Sequence, residues 1–535
     1  MKNIINIINF VRGIEPREGR NIDLVQPVKE QIALLRKYNL KGTFLIQYDA
    51  LIDDEFVSLF KDASDVSELG VWFETVKPQV EKIGENWKGR YPWDWYCDVG
   101  FLIGYEPETR HRLIDEGMEK FKEIFGKYPE SVGSWHIDAV SMKYFAEKYN
   151  VKACCICRDQ VGTDGYTMQG GYFNQAYYPS VNNMFCPAAS KDTQIDMPVF
   201  RMLGSDAIYA YDYRSYPEIK PFGIPTLEPA SEHCGGNEEW CRYFFNETFG
   251  GNGISFQYTQ VGQENSFGWP RMQKGLNIQH ELIKKMLDEG KVEVMTLGES
   301  GKWFKETYDV TPSSALTALD DIRGLNKKSV WYNSRYYRVN LLYEDGVVRI
   351  RDMYIFNDKY EEIYLKNPCE THACQYRNLP VMDSVLYAAT DSGIFPGIYF
   401  TKDGENIRFD DLQYSEKDGN SVVCLKSGNE CVTVTFKEKE ISISDGISGL
   451  VLKPVYDECY VYGRNLDSDK SFGNHNNGKV CLTHITSAKA EENTLSFVFD
   501  GQSYGISFVK GKLTDDFSVC SEESEIKAEI LTEIK

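Results

Sequence analysis

An α/β barrel followed by an all-β domain is the fold this sequence predicts, and three observations lead there. Strand-like and helix-like stretches alternate from residue 3 to about residue 299, the pattern of βαβ units around a parallel sheet. Beyond Thr311-Pro312 the helical spacing stops, and short alternating strands follow one another through Asp-Gly, Asn-Gly and Lys-Asp-Gly turns. Nearly every strand of the first half finishes with an acid. A chain of 535 residues also exceeds one ordinary domain. The division falls between a barrel over 1–312 and a β-sandwich over 313–535.

Residues 3–12 read as a buried first strand ending at Arg12-Gly13-Ile14-Glu15. Val28, Ile32 and Leu35 then recur at helical spacing, and residues 42–49 return to a strand ending in Asp49. A helix over 53–63 precedes a third strand, 69–74, closing on Glu74. Residues 77–105 interrupt the rhythm with an insertion holding Trp87, Trp93 and Trp95, long enough to serve a site, although its tryptophans also suit a small core of their own. A helix from about 107 to 125 leads to strand four, 131–138, and strand five follows at 152–159. Strand six spans 197–206. The seventh begins at Gly253 and breaks into a polar turn with Gln260, Gln263, Glu264 and Asn265 before Trp269-Pro270. A last unit pairs a helix over 279–287 with a strand over 292–299.

Composition narrows the function. The formal net charge of −21, with no Lys/Arg cluster, excludes a nucleic-acid-binding face. Nothing approaches a membrane span, and the N-terminal residues show no secretory h-region. The fourteen cysteines form no spaced framework, which predicts buried free thiols in a cytoplasmic protein. Cys369-x-x-His372-x-Cys374 offers ligand types but only three members, and His136 reads as a packed core histidine, so neither a metal nor a cofactor is expected. A homo-oligomer is compatible with this composition.

The strand-end acids are Glu15, Asp49, Glu74, Asp138, Asp159, Asp206, Glu264 and Glu299. Parallel strands place such ends on one face of a barrel, where its chemistry resides. Each also suits an N-cap for the following helix. Together with Trp72, Trp135, Asp164, Tyr166, Arg201, Gln260, Gln263, Asn265 and Trp269, they describe a pocket for a carbohydrate. Glycosidic cleavage needs one protonated acid and one carboxylate acting as nucleophile or base. Arg12 and Arg201 would bind the sugar or pair with the surplus acids and decide which stays ionised. Glu228, fixed by Pro229, is a further candidate.

Gly42-Thr-Phe-Leu-Ile46 followed by Glu68-Leu-Gly-Val-Trp-Phe-Glu74 resembles the start of the glycoside hydrolase/deacetylase superfamily. That superfamily comprises distorted (β/α)7 barrels, including NodB-type polysaccharide deacetylases and glycoside hydrolase families 38 and 57. The strings from Asn9 to Arg17, Asp159 to Tyr166 and Gly262 to Trp269 are similar to a bacterial branch whose barrel carries a β domain. The deacetylase Asp-Asp and His-x-x-x-His pairs have no counterpart here, since those places read Arg12-Gly-Ile-Glu15 and Trp72-Phe-Glu-Thr-Val76. The family 38 His-x-Asp is absent as well. The resemblance therefore implies the metal-independent family 57 pattern, with Asp138 and Glu264 at the positions of nucleophile and acid. The catalytic candidates, in order, are Glu264, Asp159, Glu228, Asp138 and Glu74. The expected activity is glycoside hydrolysis; the rivals are a sugar deacetylase with an atypical metal site and a non-catalytic carbohydrate-binding protein.

Overall fold

The computed structural model describes residues 1–16, 21–163, 166–210, 224–384, 395–455, 460–464, 475–479 and 489–534. Seven parallel strands form the first half: β1 (Lys2–Val11), β2 (Gly42–Ile46), β3 (Ser67–Trp72), β4 (Ser131–Gly133), β5 (Ala153–Cys157), β6 (Val199–Met202) and β7 (Phe256–Val261). They hydrogen-bond in the order β7-β1-β2-β3-β4-β5-β6, and an eighth short strand, β8 (Glu293–Met295), lies against β1. Their near-continuous Ile, Val, Leu and Cys content follows from burial on both faces.

The wall is nearly closed, and side chains bridge the seam between β6 and β7. Gln260 Oε1 accepts from the backbone of Leu203 at 2.8 Å, and Gln175 Nε2 donates to Gln257 Oε1 at 3.1 Å. Gln260 also donates to the Ile8 carbonyl, so this fully buried amide holds the barrel wall.

Helices cover the outside: α1 (Val25–Tyr38), α2 (Asp54–Asp62), α3 (Pro107–Phe125), α4 (Ala139–Tyr149), α5 (Glu238–Phe249), α6 (Trp269–Asp288) and α7 (Leu297–Thr307). One of them starts earlier than its apolar spacing indicates and one stands where a strand was expected, and the caps explain both. Pro270 sits in the first turn of α6, where its missing N–H costs nothing, so the helix begins at Trp269. Trp269 consequently packs, partly buried, with Leu34, Met272 and Leu276 under the helix. Thr296 and Glu299 form a capping box that opens α7 where a strand was expected, which removes Glu299 from the ring of strand-end acids.

The second half is a sandwich. One sheet runs through Ser314–Ala318, Lys327–Asn333, Tyr337–Glu344, Val347–Ile355, Gly397–Lys402 and Val451–Val455. The other runs through Asp411–Lys417, Asn420–Ser427, Glu430–Phe436, Glu440–Ser444, Glu525–Leu531, Gln502–Lys510 and Thr494–Phe499. One apolar core joins their inner faces, with Leu341, Val423, Val434 and Phe497 among its fully buried members. The halves also share ladders. Gly253–Ile254 pairs with Ser314–Ala318, and Tyr166–Gln169 pairs in parallel with Cys374–Arg377.

The cysteines correct one expectation. Cys424 and Cys431 form a disulfide between neighbouring strands of the sandwich, whereas ten other cysteines are free and nearly all buried. No helix among the described residues is long and apolar enough to cross a membrane.

Candidate functional site

The turn after β7 builds the centre of the barrel mouth. Gly262 has φ of +117°, and a Cβ there would stand 2.0 Å from the Ile8 carbonyl oxygen, so only glycine lets the turn press against β1. The chain then delivers Glu264, Asn265 and Ser266 to Arg12 at the end of β1. Asn265 fixes the Arg12 backbone reciprocally: its Oδ1 accepts from the Arg12 N–H at 2.9 Å, and its Nδ2 donates to the Arg12 carbonyl at 2.8 Å.

The Arg12 guanidinium lies between two carboxylates. Nε and Nη2 donate to the two oxygens of Glu74, each at 2.8 Å, in the bidentate arrangement a planar fork favours. On its other side Nη1 stands 2.7 Å from Glu264 Oε2 and donates to Ser266 Oγ at 3.0 Å. Ser266 in turn donates to Glu264 Oε1 at 2.7 Å. Trp135 Nε1 donates to Glu74 Oε1 at 2.8 Å, and the Trp93 ring lies 4.1 Å from the guanidinium carbon. The tryptophan-rich insertion thus roofs the site. Burial works against the Arg12 charge, but Glu264 and Glu74 more than offset it and Glu15 adds to the rise, so the guanidinium stays charged.

Two further acids flank this clamp. Asp49 is nearly buried and accepts from the N–H groups of Gly13 and Ala50, leaving Oδ2 without a hydrogen-bond partner. Burial pushes its carboxyl up to about 6, against the pull of those N–H groups and of Arg12. Glu228 lies on the loop before α5, where the Ser231 hydroxyl donates to it at 2.9 Å. Burial pushes the Glu228 carboxyl up, Ser231 pulls it partly back, and the negative charge of Glu264 adds to the rise. The buried Gln263 Oε1 has no hydrogen-bond partner, while its backbone is held by Asn9 and Gln31.

The remaining predicted residues have other partners. Asp138 caps α4 through the Ser141 N–H and pairs with Arg110 at 3.0 Å, fully buried. Asp159 is clamped between Arg201 at 2.8 Å and Arg338, which comes from the second half and also holds Asp352. Neither acid belongs to the Arg12 cluster. Arg201 spends its other donors on the carbonyls of Cys157 and Tyr172, so it braces the fold and does not present itself to a sugar. Asp206 caps the N–H groups of Ile208 and Tyr209. Trp72 is a core residue stacked on Phe10 at 4.3 Å. Tyr166, buried, packs between Trp135 and His136. Asp164 lies outside the described residues.

The mouth does not fit a divalent metal of the deacetylase kind. The Arg12 guanidinium already occupies the space between its Glu74 and Glu264 carboxylates. Among the described residues, the one group of three His, Cys, Asp or Glu side chains whose ligand atoms gather within 4.8 Å lies elsewhere, at Cys97, His136 and Cys374. Sequence reasoning missed that trio because its members come from three distant segments. It also missed Trp93 as the lid over Arg12 and Ser266 as the bridge between Arg12 and Glu264.

No family model matches the chain, and no curated protein matches it. Among solved structures, a protein from Parabacteroides distasonis named as a glycoside hydrolase/deacetylase superposes with a TM-score of 0.51 at 14% identity, over 71% of this chain and 90% of that one. A polysaccharide deacetylase from Mycobacterium smegmatis gives 0.35 at 14% identity, over 57% and 91%. A family 57 branching enzyme from Thermococcus kodakaraensis gives 0.29 at 10% identity, over 57% and 71%. In architecture, then, this chain shares the fold of the Parabacteroides glycoside hydrolase/deacetylase, a nearly closed α/β barrel joined to a β-rich region.

Proposed function

We propose that this protein is a carbohydrate-processing hydrolase, and more narrowly a glycoside hydrolase working with two carboxylates and no catalytic metal. One observation carries the reading: at the C-terminal mouth of the barrel, Glu264 is ion-paired with Arg12 while its neighbour Glu228 is held towards its protonated form. Two acids in such different surroundings, one against a guanidinium and one buried with a hydroxyl donor, are suited to different roles. Glu228 protonates the departing glycosidic oxygen. Glu264, paired with the Arg12 guanidinium, supports the oxocarbenium-like transition state as nucleophile or base. Arg12 and Glu74 keep Glu264 in place, and the partly exposed Trp135 beside Glu74 supplies an aromatic face of the kind a sugar ring needs. The resemblance in sequence and the shared fold support carbohydrate as the substrate class. Fold alone does not choose the reaction. The cytoplasmic setting is part of this proposal, supported by the free buried cysteines.

A panel of aryl glycosides with graded leaving groups tests the assignment. Glu228→Gln should slow poor leaving groups by about 10²–10⁴-fold and barely affect activated ones that need no protonation. Glu264→Ala should abolish turnover for all of them, and azide should restore a glycosyl azide product. An equal loss across leaving groups in Glu228→Gln, or an intact rate in either correctly folded variant, overturns the roles.

A further inference from the structure

Away from the mouth, three segments remote in sequence bring soft ligand atoms to one buried point. Cys97 comes from the tryptophan-rich insertion, His136 from the loop just after β4, and Cys374 from the strand of the second half that pairs with Tyr166–Gln169. Their ligand atoms all lie within 4.8 Å of one another, and His136 Nε2 stands 3.6 Å from Cys374 Sγ. Atoms bound to one tetrahedral ion at about 2.0–2.3 Å stand roughly 3.5–3.8 Å apart, so the trio needs only slight contraction. All three side chains are buried, both cysteines are free thiols, and the other ring nitrogen of His136 has no hydrogen-bond partner although the residue is 2% exposed.

We propose that Cys97, His136 and Cys374 bind a borderline-soft divalent cation, with zinc the ion their chemistry selects. Two thiolates and a neutral imidazole balance the ion's charge, which a buried apolar shell requires. On binding, each thiol loses its proton to solvent and its sulfur bonds to the metal, with no change of oxidation state. Cys369, five residues before Cys374 and buried, is a further free thiol on the same segment, its Sγ now donating to the Thr371 carbonyl. Its N–H donates to the Ile103 carbonyl and the Cys97 N–H donates to the His372 carbonyl, so backbone bonds already dock the two segments on each other. The ion would staple the insertion, the barrel and the sandwich together. It would do so one residue from Trp135, whose indole holds Glu74. This inference is independent of the reaction proposed at the mouth.

The test is metal content of the full chain purified under reducing conditions without chelator, then reloaded with zinc or cobalt. About one equivalent per chain is expected, and the cobalt form should show thiolate-to-metal charge transfer with intense tetrahedral d–d bands. Cys97→Ser, His136→Gln and Cys374→Ser should each fall below about a tenth of an equivalent, while Cys520→Ser keeps the ion. Because a ligand variant can misfold, the wild type provides a second readout: alkylation of Cys97 and Cys374 followed by mass spectrometry. Both should react only after a chelator is added, while Cys154 and Cys155 in the barrel core stay protected throughout. A wild type that takes up no zinc or cobalt, alkylation indifferent to chelator, or a Cys97–Cys374 disulfide in the reduced preparation would each overturn the proposal.

Discussion

Replacing Arg12 by methionine tests the reasoning about the barrel mouth most directly. The substitution keeps a long apolar stem but leaves Glu74 and Glu264 buried, 1% and 4% exposed, without the cation that sits 2.8 and 2.7 Å from them. Removing one partner from a buried ion pair costs about 3–5 kcal/mol, mostly because a charge is stranded. Here two are stranded, although protonation relieves part of the cost. The loss should therefore depend on pH in a definite direction. A stranded carboxylate binds its proton more tightly folded than unfolded, so stability is retained at low pH and lost as pH rises. The deficit should be largest near pH 8 and shrink towards pH 5. Eight of the nine tryptophans lie before residue 313, so tryptophan fluorescence during urea unfolding reports on the barrel. Adding Glu74→Gln and Glu264→Gln to Arg12→Met should recover most of the lost midpoint. A loss under about 1 kcal/mol, or one independent of pH, would show that the clamp is not the electrostatic centre described here.

Asp49 titrates inside the fold at about 6 against an ordinary 3.8, an interval of about 3 kcal/mol. Its folded value is the raised one, so wild-type stability should fall as pH climbs from 4 through 6; Asp49→Asn, which still accepts from Gly13 and Ala50, should flatten that slope in pH-resolved unfolding. Asp159→Asn should strand Arg201 and weaken the seam to Arg338. Barrel fluorescence and far-ultraviolet dichroism should coincide in the wild type and separate along the denaturant axis in the variant. Gly262→Ala should cost at least about 1–3 kcal/mol from its backbone conformation alone and displace Glu264, so thermal midpoint and turnover should drop together.

The barrel was legible because strands buried on both faces read as apolar runs and the helices between them keep a 3.6-residue period. The sandwich was legible through its turns, with Asp345, Asp403 and Asp418 each at positive φ before a glycine. What misled was the strand-end acid. Asp138, Asp206 and Glu299 satisfy helix or turn N–H groups, and Asp159 neutralises arginines; these uses draw on the same side chains at the same places as catalysis does. Only long-range geometry separates them, and the second half of the chain, through Arg338, decides the matter for Asp159. The trio at Cys97, His136 and Cys374 was hidden for a related reason. His136 and Cys374 are 238 positions apart, so no spacing motif announces them.

Arg12 was legible as one of two arginines able to set which acid stays ionised, and the structure divides that task between them. Arg201 spends its donors on Asp159 and two carbonyls, outside any ligand's reach. Arg12 faces the mouth and spends its own on Glu74, Ser266 and the charge of Glu264, yet Glu264 Oε2, 2.7 Å away, accepts no hydrogen bond in return. An oxygen beside a cation but not saturated by donors keeps a lone pair for chemistry. That is why Glu264, and not the fully bidentate Glu74, is assigned the reacting carboxylate. It also explains why Glu228, raised in part by the charge of Glu264, is its natural partner as acid. If Arg12 sets both properties, Arg12→Lys should preserve much of the stability, because a point charge remains. It should still lose turnover, because an ammonium cannot hold Glu74 bidentately while meeting Glu264 on its far side. Equal retention of stability and turnover in Arg12→Lys would mean that the orientation of the two carboxylates, as distinct from their charge balance, is not what the site depends on.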